Sequence, residues 1–95
     1  VQTIKFDSTQ KKDVAKTVIM GLRACGPWTT HEIACELLTQ SLHVDRLNVD
    51  VVTKWVVRYL LGQRIIEQYD DMEGVYCLHS RLYDPETGDF TLDLD

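Results

Sequence analysis

The order of its hydrophobic rhythms constrains this chain more than any single motif does. Three helix-spaced patterns come first, followed by two short strand patterns folded about a glycine. In the first pattern Val14, Val18, Leu22 and Cys25 recur at i, i+4, i+8 and i+11, with Ala15 and Ile19 widening the stripe. Lys11, Lys12, Lys16 and Arg23 fall on other faces, and Ser8 or Thr9 supplies a capping hydroxyl, so a helix is predicted over Thr9–Cys25. Gly26-Pro27 should stop it, the glycine as a left-handed residue and the proline by lacking a donor.

Thr29-Thr30-His31-Glu32 has the spacing of a capping box, in which the hydroxyl reaches forward and the carboxylate reaches back. It opens a second helix from His31 to Gln40, with Ile33, Leu37 and Leu38 inward. His43-Val44-Asp45-Arg46 reads as a polar linker. Asn48 is the expected cap of a third helix over Val49–Leu61, with Leu47 stapled onto Val52 and Gly62 as the stop. Arg64–Tyr69 and Val75–His79 then form a hairpin about Asp70-Asp71-Met72-Glu73-Gly74. Trp28-Thr29 is left as a short strand ahead of the second helix.

Ninety-five residues suffice for one core, and 44% apolar with 26% charged residues is the balance of a globular chain. No apolar run approaches the roughly 20 residues that span a bilayer, and no secretory signal pattern is present. The start at Val1 leaves open an excised or processed fragment whose targeting elements lie elsewhere. Cys25, Cys35 and Cys77 are odd in number and sit in apolar settings, which suggests buried thiols and a reducing, cytoplasmic home, with the nucleus as the alternative. The net charge of −5 is unevenly spread: residues 1–69 carry +2, while residues 70–95 carry −7 and hold Arg81 as their one cation.

Helix, short strand, helix, helix and two-stranded ribbon, in that order over residues 9–79, resemble the winged helix-turn-helix family. The resemblance implies an α+β fold of three helices with a small antiparallel sheet, flanked by an N-terminal arm or short strand (1–8) and an acidic C-terminal extension (80–95). It makes His31–Gln40 the scaffold helix, Val49–Leu61 the recognition helix and the Gly74 hairpin the wing. Most of the family binds double-stranded DNA with the third helix in the major groove and the wing on the backbone, and a substantial minority holds other proteins. On the first reading the nucleic-acid-binding residues are Arg46, Thr53, Lys54, Val57, Arg58, Gln63 and Arg64, with Thr53 and Gln63 able to bond base edges.

Two departures favour the second reading. The wing tip carries three carboxylates, which a duplex repels. Nine of the thirteen residues Val49–Leu61 are Val, Trp, Tyr or Leu. If Val52, Trp55, Val56, Tyr59 and Leu60 make the inner stripe, Val49, Val57 and Leu61 are left on or near the outside, beside Asp50, Thr53, Lys54 and Arg58. An aliphatic outer face suits a protein partner. DNA binding, as a dimeric regulator, stands narrowly ahead on the resemblance, with protein recognition as the alternative.

Catalysis is not expected. His31-Glu32-Ile33-Ala34-Cys35 has the spacing of a helical zinc motif, but Cys replaces the second His, no third ligand follows, and Glu32 is taken by the cap. Cys25, His31 and Cys35 lack paired CxxC spacing, so no metal or cofactor is expected. His43 and His79 have no framed nucleophile near them, and no glycine-rich phosphate loop occurs. Trp28, Trp55 and Tyr59 read as core aromatics. Finally, Gln2–Phe6 and Phe90–Leu94 each alternate as a strand with one apolar face. Such strands need pairing, either by docking on this domain, beside the wing or on each other, or in a homodimer. The aspartates of the tail equally suit a disordered end.

Overall fold

A computed structural model describes residues 3–4 and 8–94 of the chain. The architecture is α+β: three helices and a small antiparallel sheet, with strand hairpins, in a layout compatible with a three-helix winged helix. The elements run β1 (Thr3–Ile4), α1 (Thr9–Cys25), β2 (Trp28–Thr29), α2 (Thr30–Gln40), α3 (Val49–Gly62), β3 (Ile66–Gln68), β4 (Val75–Leu78), β5 (Tyr83–Asp84), β6 (Asp89–Phe90) and β7 (Asp93–Leu94).

The Ser8 hydroxyl accepts from the Lys11 N–H at 3.1 Å and starts α1, which buries Val14, Ala15, Val18, Ile19 and Leu22. Gly26 ends it in an extended conformation (φ −62°, ψ 165°), not the left-handed one expected. The cause is Pro27, whose ring pushes the preceding residue toward extended backbone. Glycine is still required, because a Cβ there would lie 2.6 Å from the Leu22 carbonyl oxygen. A Cβ at Gly21 would run into the six-membered ring of Trp28, so the bare backbone of α1 is what seats β2 and its tryptophan.

The capping box of α2 is present in both directions: the Glu32 N–H donates to the Thr29 hydroxyl at 3.2 Å, and the Thr29 N–H to Glu32 Oε1 at 3.0 Å. Ile33 and Leu37 are buried, but Leu38 is exposed rather than inward. The thiols also differ from expectation. Cys25 and Cys35 are exposed and Cys77 is half-buried. Cys25 is the last residue of α1, beyond Leu22, and Cys35 lies between the two buried positions of α2, off its inner face.

The wing is a three-stranded sheet in the order β2-β4-β3, with Trp28 opposite Tyr76 and Ile66 opposite Leu78. Its turn passes through Asp70 and Asp71, both at positive φ, and Gly74 at φ 79°. Asp70, Asp71, Met72 and Glu73 are all exposed, so the apex is negative. Beyond β4 the chain stays on the domain. Leu82 enters the core, β5 and β6 pair in a hairpin with Tyr83 edge-on to Phe90 at 5.4 Å, and Phe90 and Leu92 pack against the core. The Arg23 guanidinium holds the Asp89 carboxylate, with Nε 3.2 Å from Oδ1. β7 lies parallel to β1, Thr3 opposite Asp93. The tail therefore docks rather than dangling, and its partner is the N-terminal strand; Gln2, Lys5 and Phe6 of the expected strand lie outside the described residues.

Candidate recognition surface

The linker between α2 and α3 is pinned by hydrogen bonds from its own polar side chains and from one on α1. The Asp13 carboxylate on α1 accepts from the Ser41 hydroxyl at 2.7 Å and from His43 Nδ1 at 3.0 Å. Those bonds, Ser41 first, hold the Asp13 carboxyl below its usual range against a smaller opposing effect of burial. Farther along, Asp45 Oδ1 accepts from the Leu47 and Asn48 N–H groups at 2.9 and 3.0 Å, while Asn48 Oδ1 accepts from the Asp45 N–H at 2.9 Å. This is a reciprocal box one turn ahead of α3, and it uses up the Asn48 side chain, which makes no cap bond to the helix itself.

Consequently Val44 turns into the core and the neighbouring leucines turn out. Leu42 is 98% exposed and Leu47 95%, so the staple onto Val52 does not form. At the start of α3, one turn beyond Leu47, Val51 is 72% exposed. Beside them runs a groove of ≈ 330 Å³ between α1 and α3, lined by Gln10, Lys11, Val14, His43, Val51, Val52 and Trp55. Lys11 Nζ stands 5.7 Å from the centre of the Trp55 ring, which in turn stacks on Tyr59 at 5.3 Å.

The inner face of α3 is rotated by about one residue from the stripe expected from sequence. Its buried residues are Thr53, Val56, Val57 and Leu60, and Val52, Trp55 and Tyr59 are only partly covered. Large aromatics with polar tips settle at the rim, where one end stays wet. Two of the seven expected nucleic-acid-binding residues lie elsewhere than on the outer face where the sequence placed them. Thr53 is 3% exposed and Val57 8%, so neither projects from the outer face. The Thr53 hydroxyl finds no hydrogen-bond partner among the described residues.

Of the others, Lys54 and Arg58 are exposed and share a second groove of ≈ 340 Å³ with Thr30, Val57, Leu61 and Tyr76. Arg46 lies before α3, and Gln63 and Arg64 lie after it, at opposite ends of a helix about 20 Å long. The four cations therefore do not converge. The end of α3 has an unusual stop: Gly62 is its last helical residue, and Arg64 takes the left-handed position at φ 57°. The Ile65 N–H bonds the Leu60 carbonyl at 3.0 Å and the Arg64 N–H the Leu61 carbonyl at 3.1 Å, completing a Schellman ending. Arg81 from the tail donates to the carbonyls of Arg64 (2.8 Å) and Gln63 (3.1 Å).

No family model matches the chain, and neither a curated protein nor a solved structure matches it. Among the described residues no helix is long and apolar enough to cross a membrane. His31 Nε2 lies 3.6 Å from Cys35 Sγ one turn along α2, and no group of three His, Cys, Asp or Glu side chains gathers among the described residues.

Leu42, Leu47 and Val51 are the surface residues that sequence reasoning missed. Two leucines in a short polar linker were the available signal. The direction of Leu47 follows from the Asp45–Asn48 box, which turns it away from α3.

Proposed function

We propose that this is a winged-helix domain with a binding role, and that its working surface recognises protein. One observation carries this reading: two almost fully exposed leucines stand on a hydrogen-bonded linker beside an apolar groove. Apolar side chains held rigidly in water, rimmed by polar groups, are the pattern of an association site. Rigid display also matters, because little conformational freedom remains to be lost on binding. The negative wing apex and the net charge of −5 work against a polyanion at the same time.

Duplex DNA remains the second reading, and the groove that brings Lys54 and Arg58 together with Thr30 and Tyr76 favours it. A photo-crosslinking amino acid placed at position 47, and separately at position 58, separates the two. Applied to the chain in an extract of its source cells, the protein reading expects nuclease-resistant, protease-sensitive adducts from position 47. DNA recognition expects nuclease-sensitive adducts from position 58, together with low-salt binding to mixed-sequence duplex that falls steeply as salt is raised. Adducts at 58 with none at 47 would reverse the order of the two readings.

A further inference from the structure

We infer that His31 and Cys35, one turn apart on α2, form a chelating pair for a zinc-class divalent ion. The site stands apart from the recognition reading and uses neither of its grooves. Both residues are exposed, and each is the other's only side-chain hydrogen-bond partner among the described residues. Their separation carries the inference. Zinc holds thiolate sulfur at about 2.3 Å and imidazole nitrogen at about 2.0–2.1 Å, which at the tetrahedral angle puts the two ligands about 3.6 Å apart. The same bond lengths need about 3.1 Å at a right angle and about 4.3 Å in a linear pair. Cys35 Sγ and His31 Nε2 stand 3.6 Å apart. The tetrahedral spacing is therefore present with no movement of the helix.

The pair is also held in place. Ile33 and Leu37, on the opposite face of α2, are fully buried, and the capping box fixes the first turn. Thiolate and imidazole select zinc over magnesium or calcium, which prefer oxygen. The amino-terminal end of a helix disfavours a cation, and two carboxylates offset that here. Glu32 and Glu36 line a groove of ≈ 260 Å³ that opens beside the Cys35 thiol, with Trp28 and Thr39 as its other walls. No group of three ligating side chains gathers among the described residues. The two remaining tetrahedral positions accordingly belong to water, for which the groove has room and whose protons the glutamate oxygens accept. On binding, a sulfur–metal bond forms, the thiol proton passes to solvent, and the neutral ring donates its Nε2 lone pair.

Differential alkylation of the reduced native chain tests the site against an internal control, because Cys25 is equally exposed but has no histidine partner among the described residues. Zn²⁺ should slow iodoacetamide modification of Cys35 by at least about 10-fold and leave Cys25 unchanged, while Mg²⁺ should protect neither. Co²⁺ should produce a thiolate-to-metal charge-transfer band that saturates at one ion per chain. His31→Ala should weaken binding by about 100-fold or more, and Glu36→Gln by about 10-fold, the scale for an outer partner of a metal ligand. His31 is exposed, so its variant should keep the parent's helix content, which circular dichroism checks. Equal protection of Cys25 and Cys35, no cobalt band at about 1 mM ion, or protection of Cys35 that survives His31→Ala overturns the inference. None of these outcomes alters the adducts expected from positions 47 and 58, so failure here leaves the recognition reading as it stands.

Discussion

The Asp13 carboxylate and the His43 ring nitrogen meet at 3.0 Å, tying the second turn of α1 to the linker that follows α2. Because the Ser41 hydroxyl bonds the same carboxylate oxygen, one side chain fixes both the end of α2 and the direction of the linker. The Asp13 carboxyl is held below its usual range by these donors, so its contribution is present above the ordinary carboxylate pKa of about 4 and is lost as pH falls through the lower, folded-state value.

Asp13→Asn should therefore lower stability by roughly 0.5–1 kcal/mol at pH 7, a modest figure because the site is partly solvated. The gap between variant and parent should close as the solution is taken below about pH 4. Urea denaturation at a series of pH values measures both. A gap that persists unchanged in acid would mean that the carboxylate charge is irrelevant to the linker.

Arg64 stands in left-handed backbone where glycine ordinarily serves. An L side chain pays roughly 1 kcal/mol for that conformation, and glycine returns part of it as flexibility in the unfolded chain. Arg64→Gly should thus raise stability by about 0.5 kcal/mol, seen as a higher thermal midpoint. A drop would show that the arginine side chain makes a compensating contact.

Thr53 presents the opposite opportunity, a buried hydroxyl with no partner. An unpaired buried polar group costs about 1–3 kcal/mol, and removing it for an isosteric methyl recovers much of that. Thr53→Val should stabilise the domain by about 1 kcal/mol in urea titration and leave any nucleic-acid affinity untouched. Lost duplex binding in a stable variant would instead restore Thr53 to the recognition face.

The three thiols should separate cleanly under alkylation. Cys25 and Cys35 are exposed, whereas burial, and secondarily the nearby Glu67 carboxylate, push the Cys77 thiol up. Iodoacetamide at pH 8 should modify the first two quickly and Cys77 only slowly until denaturant is added. Mass spectrometry of the native protein counts the adducts, and rapid triple modification would contradict the packing of β4.

Local chemistry explains which parts of the architecture could be read from residues alone. The Thr29–Glu32 capping box and the Ser8 cap involve groups three residues apart, and α1 spans the residues its periodicity indicated. The Gly74 hairpin and its acidic apex were likewise local. Misreadings arose where two local patterns competed for one side chain, or where packing against other elements decided which face turned inward. Asn48 looked like a helix cap, but Asp45 claims its side chain, and Leu47 turns outward as a result. Trp55 and Tyr59 looked like core residues by type, but they stack at the rim of α3 and leave its inner face to Thr53 and Val57. No periodicity carries that information, because threonine at position 53 matches an outer position in pattern and an inner one only in three dimensions.

The pairing of β1 with β7 also has an architectural meaning. Strand neighbours lie about 4.8 Å apart, so the polypeptide enters and leaves this unit at almost the same place. A body with adjacent entry and exit points can be hosted within a loop of a larger protein without prying that loop open. Because the two strands run parallel, joining residue 94 back to residue 3 takes a crossover spacer of about a dozen residues; with it, opening the chain at the wing tip should yield a permuted version that still folds.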